Sequence, residues 1–321
     1  MQPGVYGPYP YSPINRRPKW KWPNGARLAL WVCPNLEFFP LNRPYAAHPM
    51  QKAADEKVPT IRTWGVRDYG NRVGIFRIME VLNRYGVRAT ASLNADLCDH
   101  HPQIVEDAVK LGWEFLGHNR TNSVWLNAVA PGEERELIHY STEKLRQTSG
   151  KRPLGWLSAG IAETWNTLDH LVAEDYLYVC DWVNDDQPYK MIVNGKQLVY
   201  LPYSYEVNDM AQVVSRYVSV DDFEMTIRRT FDVLYREGAE SARVMAICLH
   251  PYVTGVPHRI GGLDSALRYI CGHHDVWLAT GEEIVRATSL PAQRCDADLP
   301  RQRKIQCGAT LLGSPAWRST A

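Results

Sequence analysis

Four titratable side chains stand at the ends of apolar runs of strand length. They are Glu37, His118, Asp181 and His250. Carboxylates and imidazoles often transfer protons in enzymes, so the set predicts general acid–base chemistry. His250 precedes Pro251, which disfavours a helical conformation and predicts an extended exit from the strand. Taken singly, Glu37 could be a loop carboxylate, His118 a core histidine and Asp181 a turn cap.

The elements that would position these side chains alternate along the chain. Apolar runs of strand length span residues 27–34, 87–93, 113–117, 154–157, 176–180, 198–202, 244–249 and 276–279. Apolar residues recur with helical spacing over 73–85, 102–111, 132–148, 166–174, 220–237 and 263–271. Short apolar strands that alternate with amphipathic helices predict a parallel sheet buried on both faces.

A β/α barrel fits this alternation better than an open sheet does. An open doubly wound sheet is the alternative, although no GxGxxG motif follows the first strand. Catalytic groups of β/α barrels lie at the carboxyl ends of the strands. We therefore expect the four titratable side chains to converge at one end of the barrel.

Composition narrows the class of protein. The chain has 321 residues and a net charge of +1, so neither nucleic acid nor an anionic membrane is an expected partner. Eleven Trp and seventeen Tyr suit a pocket lined by aromatic rings. We find no secretory signal and no apolar run long enough to span a membrane. The seven cysteines are scattered, and Cys33, Cys180 and Cys248 fall in predicted buried strands, which favours the cytoplasm.

Three segments are predicted. Residues 1–24 form a Pro/Tyr-rich arm, residues 25–290 a single barrel domain, and residues 291–321 an irregular extension that contains Cys295 and Cys307. The aromatic arm and the extension could serve as contacts between copies, so we expect a homo-oligomer.

Several blocks resemble the polysaccharide deacetylases of the NodB-homology fold, and more closely their allantoinase and cyclic-imide-hydrolase branch. The blocks are RDYGNRVG (67–74), GWEFLGH (112–118), TNS (121–123), GWLS (155–158), CDWVNDDQPY (180–189) and LHPY (249–252). The resemblance covers roughly residues 22–284. It implies a deformed (β/α)7 barrel in a single domain, in agreement with the alternation of elements.

The chain departs from the metal-dependent pattern of that family at three places. Leu36 and Glu37 stand where the family has a pair of aspartates. Of the family's two histidines spaced four residues apart, His118 is the first, and Asn122 replaces the second. Leu157 replaces an arginine. Asn is a poorer zinc ligand than imidazole. No cofactor is therefore expected. The alternative is a weakly bound zinc ion held by Glu37 and His118, completed by water or by His258.

The resemblance also implies roles for individual residues. His250 would be the general acid, oriented by Asp181, while Glu37 and His118 would orient and deprotonate the attacking water. Asn122 would stabilise the oxyanion. Seven residues are expected to bind the substrate, among them Arg72 as a partner for a carbonyl or carboxylate group. They are Trp64, Tyr69, Arg72, Asn122, Trp182, Tyr252 and His258.

These roles predict a hydrolase of C–N bonds other than peptide bonds that opens a small cyclic ureide or imide. Such rings are better electrophiles than an acetamide, and residues 40–63 could cover the end of the barrel and exclude polymers. Two alternatives stay open. One is a metal-dependent deacetylase of polysaccharides or N-acetyl sugars, and the other is a non-catalytic barrel that binds a small molecule.

Overall fold

A computed structural model describes residues 5–43, 60–130 and 132–289, and nine strands of this part form one sheet. The strands are Leu28–Leu36 (β1), Thr90–Leu93 (β2), Glu114–Gly117 (β3), Gly155–Trp156 (β4), Tyr178–Val179 (β5), Tyr189–Val193 (β6), Lys196–Tyr200 (β7), Arg243–Leu249 (β8) and Val276–Leu278 (β9). Their order is β6-β7-β5-β4-β3-β2-β1-β8, and β9 also pairs with β1. All pairings are parallel except that of β6 with β7.

Eight of these strands coincide with the predicted apolar runs, and β6 was missed. β6 and β7 form an antiparallel hairpin whose turn holds Asn194 and Gly195 at φ 50° and 76°. Asn-Gly is the typical sequence of a two-residue hairpin turn, because both positions need a positive φ. The turn was therefore visible in the sequence, whereas β6 itself, with exposed Lys190 and Ile192, lacks a continuous apolar run.

Ten α-helices accompany the sheet in the described part of the chain. They are Ile61–Tyr69 (α1), Ile75–Arg84 (α2), Leu97–His100 (α3), Pro102–Lys110 (α4), Glu133–Ser149 (α5), Thr167–Ala173 (α6), Val220–Gly238 (α7), Pro251–Thr254 (α8), Ile260–Cys271 (α9) and Gly281–Ser289 (α10). The six predicted helices are confirmed as α2, α4, α5, α6, α7 and α9. A π-helical turn, Gly70–Gly74, joins α1 to α2 without a break in helical conformation.

Strand β1 runs through the centre of the protein and is buried along its whole length. Leu28, Leu30 and Val32 pack in the core beneath the surrounding helices. Ala29, Trp31 and Cys33 alternate with them and pack in a second core, which also contains Cys180 and Cys248. Both faces of β1 are thus buried, as its continuous apolar run predicts.

The α/β fold with a curled, mostly parallel sheet confirms the predicted deformed barrel of a single domain. An isolated parallel bridge between Asn208 and Cys248 extends the sheet beyond β8. The described residues of the N-terminal arm pack near β6, where Arg17 forms an ion pair of 2.5 Å with Asp185. No helix in the described residues is long and apolar enough to cross a membrane. The predicted C-terminal extension, residues 291–321, lies outside the described residues.

Candidate active site

Glu37 lies at the carboxyl end of β1 and is the centre of a buried polar cluster. Its Oε1 accepts a hydrogen bond of 2.8 Å from Asn122 Nδ2, and its Oε2 accepts one of 3.1 Å from the Tyr252 hydroxyl. His250 Nε2 is 3.5 Å from Glu37 Oε1. All four side chains are over nine-tenths buried. Glu37 and His250 therefore lie together at the carboxyl ends of β1 and β8, as the sequence predicts.

His250 is held in one orientation by Asp209. Its Nδ1 is 2.7 Å from Asp209 Oδ1, and its backbone N–H donates to Asp209 Oδ2 at 2.8 Å. The Thr254 hydroxyl donates to the same Oδ2 at 2.6 Å. Burial alone would lower the pKa of His250, but the carboxylates of Glu37 and Asp209 outweigh burial and raise the pKa to about 10. His250 is therefore an imidazolium at neutral pH.

The prediction that Asp181 orients His250 is wrong. Asp181 Oδ1 accepts from the Ser158 N–H at 2.8 Å, and Oδ2 accepts from the Ser158 hydroxyl at 2.7 Å. Burial raises the pKa of Asp181 to about 6, and burial together with the Asp181 carboxylate raises the pKa of Glu163 well above its ordinary value. Asp181 thus belongs to a carboxyl pair with Glu163 that fixes the segment after β4.

Asp209 was missed by the sequence analysis. It follows Asn208 in the connection between β7 and α7, where the chain has no clear hydrophobic period. The sequence did contain a signal for Asp209. Polar residues are expected after each strand, and after the predicted strand 198–202 the candidates are Glu206, Asn208 and Asp209.

His118, unlike His250, favours the neutral form of its imidazole. Its Nδ1 is 2.6 Å from the Leu157 carbonyl oxygen, which can only accept, so Nδ1 carries the hydrogen and Nε2 is a free lone pair. Burial lowers the pKa of His118 below its ordinary value of 6.5, although the Glu37 carboxylate opposes this effect. His118 is therefore neutral at neutral pH. One neutral and one protonated imidazole thus line the same cavity as Glu37.

The helical stretch from α1 to α2 supports the site from one side. Asn71 Nδ2 donates to the Glu37 carbonyl oxygen at 2.9 Å. A Cβ at Gly70 would lie 2.6 Å from the Tyr252 backbone nitrogen, and one at Gly74 would lie 2.1 Å from the Pro251 carbonyl oxygen. Only glycine permits this close approach of two backbones. The π-helical turn and its glycines thus place the helix against the segment that contains His250.

A cavity of about 160 Å³ opens onto this cluster. Glu37, His118, Asn122 and His250 line it, together with Trp125, which was not predicted. A larger cavity of about 650 Å³ lies between the N-terminal arm and residues 184–190 and shares no lining residue with the first. The titratable groups identify the smaller cavity as the candidate active site.

Comparison with known proteins assigns the chain to a family. A model of the polysaccharide deacetylase family matches residues 67–176. A protein of Schizosaccharomyces pombe whose name places it among the polysaccharide deacetylases is 31% identical over 241 residues, covering 69% of this chain and 74% of the relative. The chain belongs to the polysaccharide deacetylase family.

Two solved structures share the fold of this family member. The crystal structure of PuuE allantoinase superimposes with a TM-score of 0.79 at 28% identity, covering 87% of this chain and 97% of the other. A "probable polysaccharide deacetylase" of Pseudomonas aeruginosa PAO1 gives a TM-score of 0.78 at 26% identity with the same coverage. The predicted resemblance is confirmed, as is the prediction of a hydrolase of C–N bonds other than peptide bonds.

The residues of this polysaccharide deacetylase homologue do not fit a tightly bound divalent ion. Asn122 offers only an amide oxygen, a poorer zinc ligand than imidazole, and its Nδ2 donates to Glu37. Glu37 and His118 are then the two ligands that remain of the family pattern. Within residues 5–43, 60–130 and 132–289, no three His, Cys, Asp or Glu side chains form a group that could hold a metal.

The helix of the family's RDYGNRVG block presents different residues to the site than predicted. Arg72 is exposed with its side chain 73% accessible, 4.0 Å from Asp68, and Tyr69 accepts a hydrogen bond of 2.5 Å from Arg77. Trp64 lies behind the site, where its Nε1 donates to the Phe39 carbonyl oxygen at 3.0 Å. None of the three lines the cavity, so the described part of the chain does not bring these predicted substrate-binding residues to the candidate active site.

Of the other predicted residues, Trp182 and His258 also lie outside the cavity, and Asn122 lines it. Trp182 packs edge-on against Tyr9 with 5.3 Å between ring centroids, and His258 is exposed at the surface. Tyr252 and Asn122 both donate a hydrogen bond to Glu37, and of the two only Asn122 lines the cavity. One N–H of the Asn122 amide is bound to Glu37 and the second is not, so the role of Asn122 as an oxyanion donor stays a prediction.

Proposed function

We propose that this protein hydrolyses a C–N bond in a small cyclic ureide or imide and thereby opens the ring. The observation that carries the proposal is the pair of imidazoles, His118 and His250, that line one cavity with Glu37 and have pKa values shifted in opposite directions. Groups whose environments push their pKa values apart suit the base and acid roles of one reaction. The substrate class rests on cavity size and on the likeness to PuuE allantoinase.

His118 is the general base of the proposed reaction. Its Nε2 lone pair takes a proton from a water molecule while the water oxygen bonds to the ring carbonyl carbon. A base of lowered pKa stays unprotonated in the working pH range, and its Nδ1 bond to Leu157 holds the ring in the required tautomer. Glu37 lies beside both imidazoles and orients the water through its carboxylate.

His250 is the general acid. As the tetrahedral intermediate collapses, the C–N bond breaks and the Nε2 proton of His250 moves to the departing nitrogen. The products are a carboxyl group and an N–H group that remain joined by the opened ring. Asp209 does not touch the reacting atoms in this scheme. It is a positioning residue that keeps the imidazolium charged and aimed at the cavity.

The size of the cavity favours a small ring over a polymer. A volume of about 160 Å³ is below the roughly 300–1,000 Å³ of typical ligand pockets, so the cavity suits a small ring better than a length of polymer. Cyclic imides and ureides are also stronger electrophiles than an acetamide, so general acid–base catalysis is sufficient for their hydrolysis. The rival functions are metal-dependent deacetylation, which the names of the S. pombe and Pseudomonas relatives favour, and ligand binding without turnover.

The test is mass spectrometry of a substrate panel incubated with chelator-treated protein. The panel contains allantoin, hydantoin, succinimide, dihydrouracil and an N-acetylglucosamine oligomer. A product heavier by one water, absent with His250→Gln, is the expected result. Loss of an acetyl group that requires added zinc would contradict the proposal and support a deacetylase. No product from any member would leave the binding function.

The cofactor, the partners and the location of the protein are part of the same proposal. We propose a protein that works without a bound cofactor, takes a small-molecule substrate, forms a homo-oligomer and resides in the cytoplasm. Cys33, Cys98, Cys180 and Cys248 are buried free thiols, which is compatible with a reducing compartment.

A further inference from the structure

Three polar atoms on the segment after β3 have no protein partner among the described residues, although they are buried. They are His118 Nε2, Asn122 Oδ1 and Trp125 Nε1. All three residues line the small cavity beside Glu37 and His250. A buried polar atom without a partner destabilises a protein, so three of them at one cavity point to a ligand that supplies the partners.

The hydrogen-bonding sense of each atom follows from its surroundings. The Glu37 carboxylate can only accept, so the Asn122 atom bound to it is the amide nitrogen, and Oδ1 remains as an acceptor. His118 Nε2 is likewise an acceptor, because Nδ1 donates to Leu157. The indole N–H of Trp125 can only donate. The segment therefore presents two acceptors and one donor.

The backbone is shaped to hold the Trp125 ring at this position. Gly160 has a φ of 68°, and a Cβ built on it would lie 2.5 Å from Trp125 Cε2. Any other residue at 160 would displace the indole, so the ring occupies space that the segment after β4 leaves for it. Trp125 thus belongs to the wall of the site rather than to a mobile surface.

We infer that Trp125 and Asn122 are specificity residues that recognise a carbonyl group with an adjacent N–H group. Trp125 Nε1 donates to a carbonyl oxygen of the ligand, and Asn122 Oδ1 accepts from a neighbouring ring N–H. The inference rests on the proposed function and narrows its substrate class to rings whose nitrogen is unsubstituted. An N-methyl group would place carbon against Asn122 Oδ1 and leave that acceptor buried and unpaired.

The chain contains a matched control for Trp125. Trp182 Nε1 is also buried without a protein partner in the described residues, but Trp182 does not line the small cavity. Trp125→Phe and Trp182→Phe each remove one indole N–H and keep an aromatic ring. Only the first removes a donor from the cavity.

The experiment follows the indole N–H signals of ¹⁵N-labelled protein by NMR. The His250→Gln variant prevents turnover, and Trp125→Phe and Trp182→Phe in that background assign the two signals. Succinimide and hydantoin are titrated and compared with N-methylsuccinimide. We expect the imides to move the Trp125 signal downfield and not the Trp182 signal. N-methylsuccinimide should bind roughly 10- to 100-fold more weakly, because it leaves a buried acceptor unpaired.

The outcomes separate this inference from the proposed function. Binding of imides without a shift at Trp125, or equal affinity for N-methylsuccinimide, would overturn the inference even if the wild-type protein opens the rings. Imide binding with the expected shift, but no ring-opened product from wild-type protein, would support the inference and remove the proposed reaction. Absence of binding by both imides would overturn the assignment of these residues. The comparison of methylated and unmethylated ligands uses one protein, so it does not depend on the folding of a Trp125 variant.

Discussion

The carboxylate of Asp209 lies 2.7 Å from Nδ1 of His250 and also accepts the backbone N–H of the same residue. One side chain therefore fixes both the ring and the main chain of the proposed acid. Asp209 is fully buried, and its second oxygen is shared with Thr254, so its orientation is itself constrained. This contact transfers to Asp209 the role that the family resemblance had assigned to Asp181.

Replacement of Asp209 should impair turnover far more than replacement of Asp181. Asp209→Asn removes the charge that stabilises the imidazolium, and we expect kcat to fall by about 100-fold or more. Asp181→Asn is the matched control, because it removes a buried carboxylate bonded to Ser158 rather than to His250. Steady-state kinetics on the panel substrate that is opened measures both. Equal losses in the two variants would argue against Asp209 as the positioning residue.

The pH profile should be a broad plateau. Activity requires neutral His118, so it is lost as pH falls through the pKa of His118, which lies below 6.5. It also requires protonated His250, so it is lost as pH rises through about 10. Glu37→Gln removes a negative charge that raises the pKa of His250 and should move the alkaline limb to lower pH. If that variant is inactive, NMR titration of the His250 ring gives the same shift, and an unchanged pKa would contradict the assignment.

Two glycines of one helical stretch offer a test of how the site is supported. A Cβ at Gly74 would lie 2.1 Å from the Pro251 carbonyl oxygen, so Gly74→Ala should destabilise the fold by about 1–3 kcal/mol and lower kcat. A Cβ at Gly65 meets nothing within 4 Å, and Gly65→Ala should stabilise the helix by roughly 0.5–1 kcal/mol. Urea denaturation compares the two. Similar effects of both substitutions would show that the close approach at Gly74 is not needed.

A single substitution at Asn122 should create a zinc-binding site. Asn122→His would add an imidazole beside Glu37 and His118, giving three zinc ligands where the wild-type chain has two. We expect the variant to retain zinc against a competing chelator at least 10-fold better than the wild-type protein, because three ligands are the usual minimum of a protein zinc site. Zinc retention by the wild-type protein equal to that of the variant would contradict the poor fit of its donors.

Much of the fold and part of the site follow from local sequence. Continuous apolar runs identified eight strands, because a strand buried on both faces must be apolar at successive positions. The same runs located Glu37, His118 and His250, since side chains that follow parallel strands share one end of the sheet. The extended conformation of His250, with φ −112° and ψ 123°, follows from Pro251.

Only the tertiary structure decided which residues of the helical segment 67–74 face the active site. The same holds for the loops that contain Trp125 and Asp209. Arg67, Gly70, Asn71 and Gly74 recur with helical spacing on the packed side, and this leaves Tyr69 and Arg72 pointing away. The block itself does not say which side packs. Trp125 lies in a segment without a hydrophobic period, so nothing local directs it to the cavity, and for Asp209 the sequence offers only its place in the polar stretch after the strand at 198–202. Contacts between residues distant in sequence, such as Asp209 with His250, arise only when the sheet brings their strands together.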